Sequence, residues 1–191
     1  MIDLLKPIFT VLILLIISPI YAFICIYLLI VIGKPILFKQ KRSGLNGRKF
    51  YLYKFRTMTN LKKVKDVNRI LGSTIFLRNS RLDEIPQLIN IIKGDLNFIG
   101  PRPLLPEYDK LYNKEQKKRL SIKPGITGWA QVNGDNNISW KKKFQLDLWY
   151  VKNKSILLDL KIIFLTFLFF VKKGLKKNNK KFITKKFNGK N

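Results

Sequence analysis

Ile8–Ile32, IFTVLILLIISPIYAFICIYLLIVI, holds no charged residue in 25 positions, and its reading decides how the rest of the chain is arranged. As a helix it would run roughly 37 Å at about 1.5 Å per residue, enough to cross a hydrocarbon core of about 30 Å. Its leucines, isoleucines, phenylalanines and valines each favour insertion at mid-membrane by about 0.3–0.6 kcal/mol, on the order of 5–10 kcal/mol in sum. The core helix of a soluble protein is the other reading of such a run. A cleaved signal peptide fits less well, because the preceding residues are barely basic and no small-residue cleavage site follows. Ser18-Pro19 stands near the middle. Proline removes one backbone hydrogen bond, so a bend is expected there, and each half then has the length of a re-entrant segment. The Ser18 hydroxyl can bond a backbone group that the proline frees. A kinked spanning helix is the alternative to re-entry. Lys34, Lys39, Lys41 and Arg42 follow the run, so the positive-inside tendency places everything after Ile32 in the cytoplasm.

Outward from this run the chain is strongly basic. Its 191 residues carry 38 Lys and Arg against 11 Asp and Glu, a formal charge of +27. Such a bias suits anionic lipid, nucleic acid or phosphorylated substrates, or simply a solvated basic surface. There is no histidine, so acid–base work falls to carboxylates, lysines or tyrosines. The single Cys25 excludes an internal disulfide.

Leu37–Arg42 and Lys49–Arg56 read as two strands of a hairpin around Ser43-Gly44-Leu45-Asn46-Gly47. Residues 61–69 read as a mobile polar segment. Apolar residues at Leu82, Ile85, Leu88, Ile89 and Ile92 have helical spacing, with Asp83 and Glu84 in the first turn. A polar helix is expected from Glu107 to Leu120, and Ser139 is placed to cap another over Trp140–Val151. Asp159 and Lys161 interrupt Ile156–Val171, which reads as an amphipathic helix lying in a membrane interface rather than crossing it. The last twenty residues hold nine lysines and no acid, a composition suited to anionic headgroups.

Asp83-Glu84 is the one adjacent acidic pair in this basic chain. It has an ordinary explanation, since Ser80-Arg81-Leu82-Asp83 fits a loose capping box. It also fits a nucleophile: a carboxylate at a helix start flanked by Arg78 and Arg81 is favoured in its ionised form. Glu84 is placed to hold a divalent cation that offsets the charge of a diphosphate. Arg102, fixed between Pro101 and Pro103, presents its guanidinium fork to a phosphate, or is a surface-turn arginine. Lys54 and Arg56 are further phosphate contacts or exposed cations. Trp129, Trp140, Trp149 and Tyr150 are core aromatics or interface anchors.

Taken together, the motifs have a recognisable order. Ser18-Pro19, Gln40-Lys41-Arg42-Ser43-Gly44, Lys54-Phe55-Arg56-Thr57-Met58, Arg78 with Leu82-Asp83-Glu84-Ile85-Pro86-Gln87-Leu88, Lys93-Gly94-Asp95, Gly100-Pro101-Arg102-Pro103 and Pro124-Gly125-Ile126-Thr127-Gly128-Trp129-Ala130-Gln131-Val132 follow one another. In these stretches the chain resembles the bacterial sugar transferase family of monotopic phosphoglycosyl transferases over nearly its whole length. The resemblance implies an α+β fold: a re-entrant membrane helix over residues 1–33, broken at Ser18 and Pro19, and a small β-hairpin. A mostly helical catalytic domain with amphipathic interfacial helices would cover 34–171 at the cytoplasmic face of the bacterial inner membrane, with a basic tail over 172–191. It implies Asp83 as nucleophile toward a UDP-sugar, releasing UMP, with undecaprenyl phosphate as acceptor. Glu84 would help bind Mg²⁺, and Arg78, Arg102 and Lys54 would contact phosphate. Anionic membrane lipids are the implied surroundings, and no nucleic acid is implied. The short chain and the ending Phe187-Asn188-Gly189-Lys190-Asn191 look most like members that act on UDP-N,N'-diacetylbacillosamine. Two positions depart from the pattern: Asp135 stands where an arginine is common, and Leu120 where a histidine often follows the arginine.

Overall fold

The computed structural model describes residues 2–59, 71–134, 137–175 and 186–189. The segment expected to be polar and mobile at 61–69, Asp135 and most of the basic tail lie outside the described residues. The chain forms two compact units, Met1–Gln40 with Tyr51–Gly94 and Lys41–Phe50 with Asp95–Asn191, so the division runs through the hairpin.

In the first unit, α1 (Ile2–Val31) is one continuous helix that carries Pro7 and Pro19 inside it. Pro19 cannot donate to the carbonyl four residues back, that of Leu15. The Ser18 hydroxyl donates to that carbonyl instead, at 2.8 Å. Gly33, at φ +72°, ends the helix, its N–H reaching the carbonyls of Leu28 and Leu29. The guanidinium of Arg56 then caps the end, donating from Nη2 to the carbonyls of Ile32 at 2.9 Å and Gly33 at 2.8 Å. Ile24 and Leu28 of α1 pack with Phe55 and Leu77 in the core of this unit. The rest of the helix offers Ile8, Phe9, Leu12, Leu15, Ile16, Ile20, Phe23, Ile26 and Ile30 to the outside. A helix of this length and composition can cross a membrane. So much exposed apolar surface rules out the soluble-core reading within the chain itself.

The hairpin has β1 (Leu37–Ser43) and β2 (Lys49–Phe55), close to the expected bounds. Asn46 at φ +51° and Gly47 at φ +77° make its tight connection. After β2 come α2 (Ile75–Asn79), a 3₁₀ turn over Leu82–Gln87, and α3 (Leu88–Ile92), which runs against α1.

The second unit is built on β3 (Asn97–Ile99) and β4 (Gly125–Thr127), a short parallel pair with Asn97 opposite Gly125 and Ile99 opposite Thr127. The approach at its end is very close. A Cβ on Gly125 would stand 2.1 Å from the Gly100 nitrogen, and one on Gly128 would stand 2.1 Å from the Gly100 oxygen.

The polar helix expected over Glu107–Leu120 is instead three pieces: a 3₁₀ turn over Pro106–Lys110, α4 (Lys114–Lys117), and a second 3₁₀ turn over Lys118–Ser121. Asn113 breaks the run because its side chain accepts from Gln116 N while Gln116 Oε1 accepts from Asn113 N, which starts a new helix. Tyr108, Tyr112 and Arg119 are buried along this stretch.

After α5 (Trp129–Val132), α6 (Trp140–Asn153) begins at Ser139, whose hydroxyl accepts from Lys142 N as expected of a cap. The helix α7 (Ile156–Leu175) buries Leu158 and Ile162 against Tyr150 and leaves Ile156, Leu157, Leu160, Ile163, Phe164 and Phe167 exposed. Asp159, which looked like an interruption of this apolar stretch, accepts a 2.6 Å hydrogen bond from the Tyr150 hydroxyl and so ties α7 to α6. Burial, then that bond, push the Tyr150 hydroxyl up from its ordinary range, so it keeps the proton it donates to Asp159. Trp140 and Tyr150 are thus core aromatics, and Trp129 stacks on Trp149 at 5.1 Å.

Candidate active site

The acidic pair sits where the backbone is forced into an unusual path. Ser80 does not cap the turn that follows. Its hydroxyl donates back to the Phe76 carbonyl at 2.7 Å and closes α2 instead. Arg81 then takes the left-handed conformation at φ +56°, a strained choice for a side-chain-bearing residue. Glu84 N bonds the Arg81 carbonyl at 3.0 Å, so the carboxylates lie on a tight 3₁₀ turn rather than on the first turn of a regular α-helix.

Asp83 and Glu84 are each only 8 % exposed, which is unusual for adjacent acids. Lys54, from β2, donates to Glu84 Oε1 at 2.5 Å. The strand that carries Lys54 is held to the helix that follows Glu84 by Asn90, which is fully buried. Its Oδ1 accepts from Tyr53 N at 3.1 Å and its Nδ2 donates to the Tyr51 carbonyl at 2.7 Å. Asn90 thus acts as a piece of partner strand, positioning lysine against glutamate. Its signal in the sequence is a polar residue inside an apolar helical stripe. Arg78, on α2, donates to Thr57 Oγ1 at 3.1 Å, and the Thr57 carbonyl accepts from Thr74 Oγ1 at 2.9 Å. Arg56 is absorbed by the end of α1 and is a structural cap rather than a phosphate contact.

The first unit therefore brings together Asp83, Glu84 and Lys54, with Arg78 on the preceding helix. Arg102 belongs to the second unit. There the Gly-Pro-Arg-Pro turn is braced along its backbone. The Pro101 carbonyl accepts from Gly125 N at 3.1 Å, that of Arg102 from Arg119 Nη2 at 2.7 Å, and that of Pro103 from Arg42 Nη1 at 3.3 Å.

Arg102 lines a cavity of about 220 Å³ walled by Arg42, Lys143 and Lys186 together with Tyr108, Trp140 and Gln131. Beside it Arg119 donates through Nε and Nη2 to Asp147 Oδ2 at 3.1 and 2.9 Å. Burial pushes the Asp147 carboxyl up, while Arg119 and then Lys143 pull it down. Gln131 is 4 % exposed, and neither its Nε2 nor its Oε1 finds a hydrogen-bond partner among the described residues. An unmade bond on a buried polar group costs about 1–3 kcal/mol. Gln131 stands in the motif at 124–132, but no role for it follows from the sequence, because the cavity gathers residues far apart in the chain.

The donor set limits what metal fits. Among the described residues no three acidic or sulfur-bearing side chains converge. Two adjacent carboxylates are what a magnesium ion uses when substrate phosphates and water complete its shell. Asp83 and Glu84 fit that description.

The model of the bacterial sugar transferase family matches residues 1–173. The chain belongs to that family. Among its relatives, the uncharacterized sugar transferase EpsL of Bacillus subtilis (strain 168) is 54 % identical over 140 residues, 71 % of this chain and 69 % of that protein. The UDP-glucose:undecaprenyl-phosphate glucose-1-phosphate transferase of Xanthomonas campestris pv. campestris is 41 % identical over 148 residues, 69 % of this chain and 31 % of that protein. The undecaprenyl-phosphate galactose phosphotransferase of Salmonella typhimurium is 35 % identical over 156 residues, 70 % of this chain and 33 % of that protein. This sugar transferase chain thus spans about a third of the length of the relatives whose substrates are named.

Proposed function

We propose that the protein is a phosphoglycosyl transferase that moves a sugar 1-phosphate from a UDP-sugar to undecaprenyl phosphate, as a first membrane step of glycoconjugate assembly. The observation that carries this reading is the buried Asp83-Glu84 pair, met by Lys54, in a chain of net charge +27. Two relatives that bear undecaprenyl-phosphate sugar-phosphate transfer in their names support it.

In the first step a carboxylate oxygen of Asp83 attacks the sugar-bearing phosphorus. The bond from that phosphorus to the bridging oxygen breaks, and UMP leaves with the electron pair. In the second, a phosphate oxygen of undecaprenyl phosphate attacks the same phosphorus, Asp83 leaves as a carboxylate, and polyprenyl diphosphate sugar forms. Glu84 would help hold Mg²⁺, which when bound supplies charge compensation for the diphosphate. Lys54, Arg78 and Arg102 would contact phosphate.

An α1 that bends at Ser18-Pro19 in the bilayer and re-enters the cytoplasmic leaflet of the inner membrane, together with the exposed apolar face of α7, would hold the enzyme at an anionic lipid surface. Ser18 supports this arrangement by satisfying the carbonyl that Pro19 leaves open. The narrower donor reading, UDP-N,N'-diacetylbacillosamine, rests on the sequence ending. Its Phe187 is buried among Tyr108, Tyr112, Trp140 and Phe144.

The test incubates protein in detergent or nanodiscs with a panel of UDP-sugars, undecaprenyl phosphate and Mg²⁺, and identifies the nucleotide released. UMP that disappears in Asp83→Asn is the expected result. UDP would mean transfer of the sugar without its phosphate and would overturn the mechanism. Preference for UDP-glucose or UDP-galactose would remove the bacillosamine reading alone.

A further inference from the structure

Among the described residues, the cavity of the second unit is walled by five basic side chains, Arg42, Arg102, Arg119, Lys143 and Lys186, against one acid, Asp147. That acid is engaged by Arg119 at 2.9 Å. Lys186 reaches the wall from the segment 186–189, and its neighbour Phe187 is buried among aromatic rings. We propose that this cavity binds a phosphate-class anion, that Lys186 is one of its contacts, and that Phe187 is the positioning residue that holds Lys186 there. The site lies within the second unit alone. It shares Arg102 with the reading above but needs neither the acidic pair nor turnover.

Like charges gathered around a partly enclosed space repel one another, and an anion placed among them offsets that repulsion. The basic side chains are also held in position rather than left to solvent. The Arg102 carbonyl accepts from Arg119 Nη2 at 2.7 Å and the Pro103 carbonyl from Arg42 Nη1 at 3.3 Å, which braces the turn that carries Arg102. Lys143 Nζ stands 4.7 Å from the centre of the Trp140 ring. The cations arrive from β1, from the turn after β3, from α6 and from the segment 186–189. A planar carboxylate offers two oxygens, whereas a tetrahedral phosphate turns an oxygen toward each of several directions. Arginine forks match those oxygens, and lysine adds a point charge. The volume of about 220 Å³ lies below the range of about 300–1,000 Å³ typical of whole-ligand pockets, which suits a phosphate with part of the group that carries it.

Phe187 gives Lys186 its place. It is only 3 % exposed, and its ring centre lies 5.0 Å from that of Phe144, 5.5 Å from Trp140 and 5.7 Å from Tyr108. Those three residues line the same cavity, so the anchor and the cation beside it belong to one wall. Both residues lie beyond residue 173, where the match to the family model ends.

The experiment titrates inorganic phosphate into the full chain in phosphatidylcholine nanodiscs by calorimetry, at about 0.15 M salt so that distant charges are screened. Lys186→Met should weaken binding about tenfold, the loss of one charge-assisted hydrogen bond, and Lys186→Arg should stay within about threefold of the parent. Lys141→Met removes an equal charge from an exposed position of α6 outside the cavity and should change binding less than about twofold. Phe187→Ala should weaken binding about as much as Lys186→Met, and should cost nothing further once Lys186 is methionine. A ring that merely kept the unit folded would cost affinity in both backgrounds. Lys186 is exposed, so its variants test the contact even if Phe187→Ala does not fold. No phosphate binding by the parent, equal losses in Lys141→Met and Lys186→Met, or a Phe187→Ala loss that persists without Lys186 would each overturn the assignment. Nanodiscs that contain phosphatidic acid separate the two sources of such an anion. Phosphate binding that weakens there only while Lys186 is present marks a lipid headgroup, unchanged binding marks a soluble phosphate, and both uphold the site.

Discussion

Asp147 and Glu84 are buried carboxylates that each meet a basic side chain, and they meet it differently. Asp147 and Arg119 are 5 % and 2 % exposed at the side chain, and the arginine fork is shared among the carboxylate, the Tyr112 hydroxyl and the Arg102 carbonyl. Rings of Tyr112 and Phe144 lie within 6 Å of the guanidinium. Glu84 receives Lys54 through one oxygen, with side chains 9 % and 18 % exposed. A planar fork used at several points is difficult to re-partner, whereas a lysine on a flexible stem releases one bond to exchange it. The first pair holds a fold in place. The second suits a site where charge must change hands as phosphate arrives and leaves.

Substitutions can break that contrast, beginning with the neighbour of Glu84. Asp83→Asn should lower UMP release by at least roughly 10³-fold, about 4 kcal/mol of barrier, while the melting temperature stays where it was. Comparable activity in the folded variant would place the nucleophile elsewhere. Asp147→Asn should act in the opposite sense. Removing one partner of a buried pair costs about 3–5 kcal/mol of stability, which lowers the midpoint of a domain this size by roughly 6–20 °C. An unchanged midpoint would end the structural reading of that pair. Lys54→Met should reduce turnover about tenfold, and because it leaves the buried Glu84 carboxylate short of a partner it should also cost about 1–3 kcal/mol of stability. With its lysine gone, Glu84 should also need less Mg²⁺ for half-maximal activity, and a higher requirement would count against Glu84 as the cation's ligand. The smallest effect is Arg81→Gly, which should raise stability by about 1 kcal/mol if the left-handed backbone there is strained. Activity measured on the same variant would show whether that strain serves the acidic pair.

Much of this was legible from local chemistry. The hairpin bounds and the Ser139 cap depend on neighbours in the chain, and they stand within a residue of where turn and cap rules put them. Ser80 failed as a cap because its hydroxyl had a nearer use, closing the helix before it. Glu107–Leu120 failed as one helix because Asn113 caps from within. No composition change marks Gly94, where the two units part, since each is assembled from two separate stretches of chain. Lys54 with Glu84, and the wall around Gln131, are long-range meetings that periodicity does not encode.

The packing of α1 also imposes an order on synthesis. Ile24 and Leu28 face Phe55 and Leu77, and Leu77 follows Ile24 by 53 positions (77 − 24). At about 5–20 residues per second, a ribosome needs on the order of 3–10 s to bridge that interval. For those seconds the inner face of α1 is as bare as the outer one. Whatever receives the nascent helix must shelter all sides of it first, then yield one side to the domain that arrives later.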